Sequence, residues 1–338
     1  MQKYIGWLIG AIAIVVISIV FSYNSSNLDI GQLSSEKSEI RLGCEKSLLT
    51  APVWIAEDKG YFEKNGLRVN IKAFDSGKAS LTSLITEGNL DICTVAQTPI
   101  MFNSFNKSNF KIISSMVTST EDVKVIGNSD AGIKYAKDLK GKRIGLTKGS
   151  TGEYYFSLVL LNLNLNTSDV EIVNFKPSAL PNALNKLDVD AICIWEPHAL
   201  KTKKLLRGKS IVVDVGELYR EDFYFVATDK FLETNHDASK RFLESINDAQ
   251  KFISEHENEA KKIVSKRLGI NYEDIDSLWS EFNYQLMLDQ TILLTLEDEA
   301  RWAIKNGLTD KKEVPNYLNY IHTDSLEQVG KIKMQIFK

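Results

Sequence analysis

Two stretches of this 338-residue chain carry the same run of features about 100 residues apart, and that recurrence constrains the fold more than anything else in the sequence. Residues 76–99 read SGKASLTSLITEGNLDICTVAQTP, and residues 178–197 read SALPNALNKLDVDAICIWEP. Each runs from a serine through an amphipathic helical segment to an aspartate that opens an apolar, cysteine-containing strand. Each then reaches a proline suited to a first helical turn. Two like βαβ units point to two lobes of similar topology. Ligands of open parallel sheets sit beyond the carboxyl ends of the strands, so two such sheets facing one another make a cleft, and the site is expected there.

The flanking sequence extends this alternation. Strands are expected at 40–44, 68–73, 91–96 and 111–117, with helices at 52–64 and from Gly77, where Leu81, Leu84 and Ile85 share a face. A second set comprises strands at 143–146, 170–175, 191–194 and 210–215, with helices at 151–163 and 178–187. The first of these helices is expected to bury Tyr154, Leu158, Leu161 and Leu165. From Asp237 onward the pattern is helical, and Phe242, Ile246, Ala249 and Ile253 form one apolar stripe. The fold class is therefore α/β, with two lobes that are each a mainly parallel sheet flanked by helices.

The N-terminus stands apart. Lys3 precedes 18 uncharged residues, 4–21, long for the core of a cleaved export signal and close to the length of a spanning helix. An uncleaved signal anchor with Lys3 on the cytoplasmic side is favoured, and cleavage after Ser22 is the alternative. Either exports the chain beyond it, and residues 23–38, rich in Ser and Asn, read as a linker. Dispersed basic residues and a formal charge of -3 argue against nucleic acid as a partner. Three cysteines (Cys44, Cys93, Cys193) and four histidines show neither a disulfide framework nor metal-ligand spacing, so buried thiols and no metal or other cofactor are expected.

In this setting TAPVWIAEDKGYFEKNGLRVNI resembles the opening of nitrate/taurine/sulfonate-type solute-binding proteins, a group that includes thiamine-pyrimidine binding proteins. TEGNLDICTVAQTP, DLKGKRIGLTKGSTGEYYF, DVDAICIWEP and EDFYFVATDKFL fit the same pattern in order, over roughly residues 39–305. The resemblance implies a type II periplasmic binding protein fold with two crossover strands as a hinge, near 117–126 and 215–226. Lobe 1 would hold residues 39–120 and 225–338, and lobe 2 residues 121–224. It implies an extracytoplasmic monomer that closes on a small solute and delivers it to an ABC transporter permease. No cysteine stands directly after the hydrophobic run, which departs from the lipid-anchored form and alters only the tether.

Several residues are placed at the expected cleft. The turn Gly149-Ser150-Thr151 offers free N–H groups at a helix start, suited to an anion; Ser150 and Glu153 could equally close a capping box on those donors. Ser76-Gly77 and Gln97-Thr98 open helices after strands and are ordinary caps as well as candidate ligand contacts. Trp195 ends a strand in lobe 2 and serves a core or a pocket wall, while Glu196 could balance an amine or stabilise a helix N-terminus. Ser47, Ser119, Thr120 and Tyr224 complete the set. The mixture leans towards a small anionic or heteroaromatic solute, a sulfonate or a pyrimidine. No catalytic constellation stands out. The alternatives are a ligand-sensing domain of a membrane signalling system and an enzyme like the fungal pyrimidine synthase, whose cysteine cluster is missing here.

Overall fold

The computed structural model describes residues 37–107, 109–330 and 333–335. The chain divides into two compact units, Met1–Ser38 and Glu39–Lys338. The hydrophobic run at 4–21 and nearly all of the 23–38 linker lie outside the described residues. Among the described residues, no helix is long and apolar enough to cross a membrane.

The described residues form twelve strands, numbered in chain order. Seven form one sheet: β1 (Ser38–Glu45), β2 (Leu67–Phe74), β3 (Ile92–Ala96), β4 (Phe110–Ser119), β10 (Glu221–Thr228), β11 (Met287–Asp289) and β12 (Lys333–Gln335). The other five form a second sheet: β5 (Val123–Asn128), β6 (Arg143–Leu146), β7 (Glu171–Asn174), β8 (Ala191–Trp195) and β9 (Ser210–Val212). The orders are β12-β11-β4-β10-β3-β1-β2 and β7-β6-β8-β5-β9. The chain passes between the sheets twice, from β4 into β5 and from β9 into β10.

Both sheets are mixed rather than mainly parallel. β1 pairs parallel with β3 and β6 with β7 and β8, as βαβ units must. The strands next to the crossings run the other way: β10 is antiparallel to β3 and β4, and β5 to β8 and β9. A chain that leaves one sheet and returns inserts its connecting strands against the local direction.

Burial reflects strand position. β3 and β8 are buried at every residue, as unbroken apolar runs covered on both faces require. The edge strand β2 instead alternates, with its charged and polar side chains towards solvent. All three cysteines are buried and unbridged.

Two helical expectations are refined. The segment expected as one helix at 52–64 is two, Ala51–Asp58 and Tyr61–Lys64, because Gly60 adopts a left-handed conformation that breaks the hydrogen-bond ladder. In the helix Thr151–Asn162 Tyr154 is buried as expected, together with Tyr155, Phe156, Val159 and Leu160, whereas Leu161 is 72% exposed. That helix is apolar almost all round, so residue spacing alone did not select its packed face.

The C-terminal helices close the core on the first sheet. Phe242, Ile246, Ala249 and Ile253 of the helix His236–Glu255 are all buried. Phe242 stacks on Phe62 at 5.7 Å and meets Phe225 of β10 edge-on at 5.0 Å, tying helix, helix and sheet together. Phe242→Ala is expected to lower unfolding stability by about 3–5 kcal/mol, read from urea denaturation, because the cavity it leaves is walled by two rings on separate elements.

Candidate functional site

A small cavity sits where the carboxyl ends of β1, β3 and β8 meet the start of β10. Its walls include Glu45, Ser76, Gly77, Lys78, Ser150, Thr151, Trp195 and Glu221, with Leu49, Ala96, Pro99 and Phe223 as apolar sides. The volume is about 20 Å³, room for about one water. In this arrangement the cavity leaves no room for a larger solute. A much larger hollow, about 690 Å³, is an open surface depression bordered by His198, Lys201, Lys204 and Asp274. None of the residues singled out from the sequence lines it.

Glu45 is the centre of the site. It ends β1 and is 4% exposed. One carboxylate oxygen accepts the Gly77 N–H at 2.9 Å, at the start of the helix Gly77–Thr86. The other accepts the Trp195 Nε1–H at 2.6 Å, from the end of β8 in the opposite sheet. Gly77 allows this because a Cβ there would lie 2.8 Å from Val95 Cα, so only glycine brings the helix start this close to β3. Burial pushes the Glu45 carboxyl up to about 8, against the two hydrogen bonds that favour its charged form.

Further acids lie beside it. Glu221 opens β10, is 4% exposed, and its carboxyl lies against the Asp122 carboxyl and the Thr151 hydroxyl, with no N–H group donating to its Oε2. Burial and the neighbouring Asp122 charge raise its pKa well above the ordinary carboxylate range. Asp122, in the first crossing, is itself raised by burial. The one cationic side chain in the cavity wall, Lys78, donates to the Lys148 carbonyl at 2.5 Å, again across the two sheets.

The sequence candidates divide. Ser76, Gly77, Ser150, Thr151 and Trp195 line the cavity; Ser47, Gln97, Thr98, Ser119, Thr120, Gly149, Glu196 and Tyr224 are not among its lining residues. Ser76 caps its helix by accepting the Ala79 N–H at 3.2 Å. The Ser150–Glu153 pair does not form the expected box. Ser150 Oγ donates to the Thr147 carbonyl at 2.6 Å, while Glu153 accepts the Gly149 N–H at 2.6 Å, one residue earlier. Gln97 uses both ends of its amide on the second crossing, donating to Arg220 O and accepting from Asp222 N, each at 3.0 Å.

Thr98 lies beside Tyr219 and Glu299, and Ser119 Oγ accepts the Glu121 and Asp122 N–H groups. Ser47 is buried, its carbonyl accepting from Thr50 and Trp54; Thr120 is exposed. Glu196 takes the helix role, accepting the Leu200 N–H at 2.8 Å and pairing with Lys124 at 3.2 Å. Tyr224 is buried between β3 and β4, one residue beyond Phe223; alternate strand residues face opposite sides, so it is Phe223 that reaches the cavity.

Glu45 and Glu221, the two buried carboxyls of the site, were missed. Their signal was faint: a lone acid closing an apolar strand (GCE) and another opening one (EDFYF). Among the described residues, one group could be drawn around a metal ion, His236, His322 and Asp324, with ligand atoms within 4.8 Å of one another. It is separate from the cavity lining. The cavity wall itself offers hydroxyls, carboxyls, an indole and an ammonium, a set suited to orienting a small molecule.

This architecture has counterparts among known proteins. The periplasmic aliphatic sulphonate binding protein SsuA from Escherichia coli superposes with a TM-score of 0.71 at 17% identity, covering 85% of this chain and 92% of that one. The molecule therefore has the periplasmic binding protein fold. The family model "NMT1/THI5 like" matches residues 49–260. A Bacillus subtilis protein provisionally named as binding aliphatic sulfonates is 30% identical over 235 residues, 66% of this chain and 68% of that protein. The chain belongs to the NMT1/THI5-like family. The fold alone does not separate binding from catalysis, since desulfurization enzyme DSZB also superposes, with a TM-score of 0.61 at 14% identity over 86% of this chain and 98% of that one.

The buried acids set a pH dependence. Glu45 and Glu299 are held near 8 by burial, against an ordinary 4.5, and Asp222 near 6. Between pH 5 and 8 the folded chain thus binds more protons than the unfolded one, and stability falls as pH rises. The melting temperature is expected to drop across that window. Glu45→Gln, which keeps an acceptor for Trp195, is expected to make the drop shallower.

Proposed function

We propose that this chain is the extracytoplasmic solute-binding protein of an ABC importer, held at the outer face of the membrane by the 4–21 segment. It captures one small solute between the two sheets and presents the closed form to a permease. The crossings near 117–126 and 215–226 act as the hinge, dividing the body into lobes of residues 39–120 with 225–338 and residues 121–224.

The observation that carries this reading is the Glu45–Trp195 hydrogen bond, which joins the carboxyl ends of strands from two different sheets across a cavity too small for a solute. A contact of this kind exists only when the lobes are together, so the cleft has a shut state for a solute to stabilise. The hydroxyls of Ser150 and Thr151 and the face of Trp195 are the contacts it would meet first. Relatives named for binding aliphatic sulfonates and taurine support a small polar solute.

Solute screening by melting temperature on the full chain tests the proposal. A true solute at about 100-fold its Kd is expected to stabilise the fold by about 2.7 kcal/mol, a rise of several degrees. Trp195→Ala is expected to abolish the shift, and deletion of the protein to abolish uptake of that solute. Turnover of the solute would move the assignment to an enzyme. Unchanged uptake with altered regulation would move it to a sensor.

A further inference from the structure

Building on the solute-binding reading, we infer that the cleft selects a solute by an amino or amidino group donated to Glu221 and Glu45, and that it rejects simple anions.

Part of the donor set an anion would use is already engaged by the protein's own side chains. The Gly77 N–H at the start of the helix Gly77–Thr86 is satisfied by Glu45 at 2.9 Å, and the Ala79 N–H by Ser76 Oγ. At the other helix start facing the cavity, the Gly149 N–H is satisfied by Glu153 at 2.6 Å. Helix N-termini bind anions through free N–H groups and the dipole. The first turn holds a side-chain carboxylate at that place, and in the second the Glu153 carboxylate sits one residue before the N-cap Ser150. The Lys78 ammonium, the one cation of the wall, is directed to the Lys148 carbonyl.

The opposite wall supplies independent support. Glu221 lines the cavity, is 4% exposed, and its carboxyl sits against the Asp122 carboxyl and the Thr151 hydroxyl, with no N–H group donating to its Oε2. Two buried carboxyls side by side are costly to ionise. A solute N–H placed there supplies a further donor, and a positive charge lets these acids ionise. An added anion would instead gain no offsetting charge from three buried acids and would oppose their ionisation in a low-dielectric space. The apolar sides, Leu49, Pro99 and Phe223, suit a short carbon body behind the nitrogen. Of the two solute classes to which the sequence pointed, the sulfonate is the one this wall opposes.

A size-matched pair of opposite charge tests the inference: propylammonium and propanesulfonate, with acetamidinium and nitrate as second members of each class. Binding to the full chain is measured by calorimetry at pH 7. The expected result is that at least one of the two nitrogen cations binds at least tenfold more tightly than either anion. Glu221→Gln is then expected to weaken that cation at least tenfold, with no fall in the melting temperature of the free protein. Tighter binding of propanesulfonate or nitrate, abolished by Trp195→Ala, would overturn this inference and leave the solute-binding reading standing. Equal cation affinity in Glu221→Gln would also overturn it. Absence of binding by all four probes, together with no stabilisation by any solute of the wider screen, would overturn both.

Discussion

The closed arrangement depends on one carboxylate. Glu45 accepts from a backbone N–H beside its own sheet and from an indole N–H of the other sheet, so a single side chain spans the two. Other bridges between the sheets surround it. Lys78 reaches Lys148 O, Lys124 pairs with Glu281 at 2.7 Å, and Lys204 pairs with Asp274. They are not equivalent. The Lys204 side chain is half exposed, and exposed ion pairs contribute about 0–1 kcal/mol because water and salt screen them. Glu45–Trp195 is buried and charge-assisted when Glu45 is ionised, a class worth about 1.5–3 kcal/mol, and unmaking it without letting in water would strand a carboxyl.

That strength has a counterweight. Burying Glu45 without a cation at hand is unfavourable, as its upward shift records, so the shut cleft draws positive charge, whether a proton or a solute group. Lys124 does not supply it to Glu45: its ammonium is engaged by Glu196 at 3.2 Å and Glu281 at 2.7 Å, in a network that anchors the helix His198–Leu205 and the first crossing and reaches Asp122. The molecule thus neutralises the acids that hold its architecture and leaves un-neutralised those that face the cavity. Such a division is what distinguishes a structural charge network from a recognition site.

How much of this could be read from the sequence depends on what each residue signals locally. β3 and β8 were legible because a strand buried on both faces is an unbroken apolar run, and Trp195 was legible as a large ring at such a strand's end. The Tyr224/Phe223 pair was not, because two adjacent aromatic residues in a strand give no clue to which faces the cleft until the register with β3 is known. Ser150–Glu153 had the letters of a capping box, yet the chain shifts the acceptor by one residue to Gly149. Glu45 and Glu221 were hidden by the general expectation that charge lies at the surface. Only the meeting of two distant strand ends takes them out of water.

The position of Glu221 ties recognition to the crossings. It is the first residue of β10, directly after the second crossing, and Asp122 lies in the first crossing, just before β5. The backbone at Glu221 is held on both sides, since Gln97 grips Arg220 O and Asp222 N, and Ser119 Oγ likewise accepts the Asp122 N–H. The carboxyls are therefore fixed on the two crossings. Those crossings are already neighbours, with Glu221 opposite Ser119 in β10 and β4, so the two carboxyls stand side by side and a proton or a donor group between them relieves their repulsion. Recognition of a solute nitrogen would relieve the same repulsion. From the other sheet's side Thr151 adds a hydroxyl beside Glu221, and Trp195 an indole N–H on Glu45. Selectivity in such a cleft belongs to the groups that the crossings hold in place, and in this chain those groups are acids.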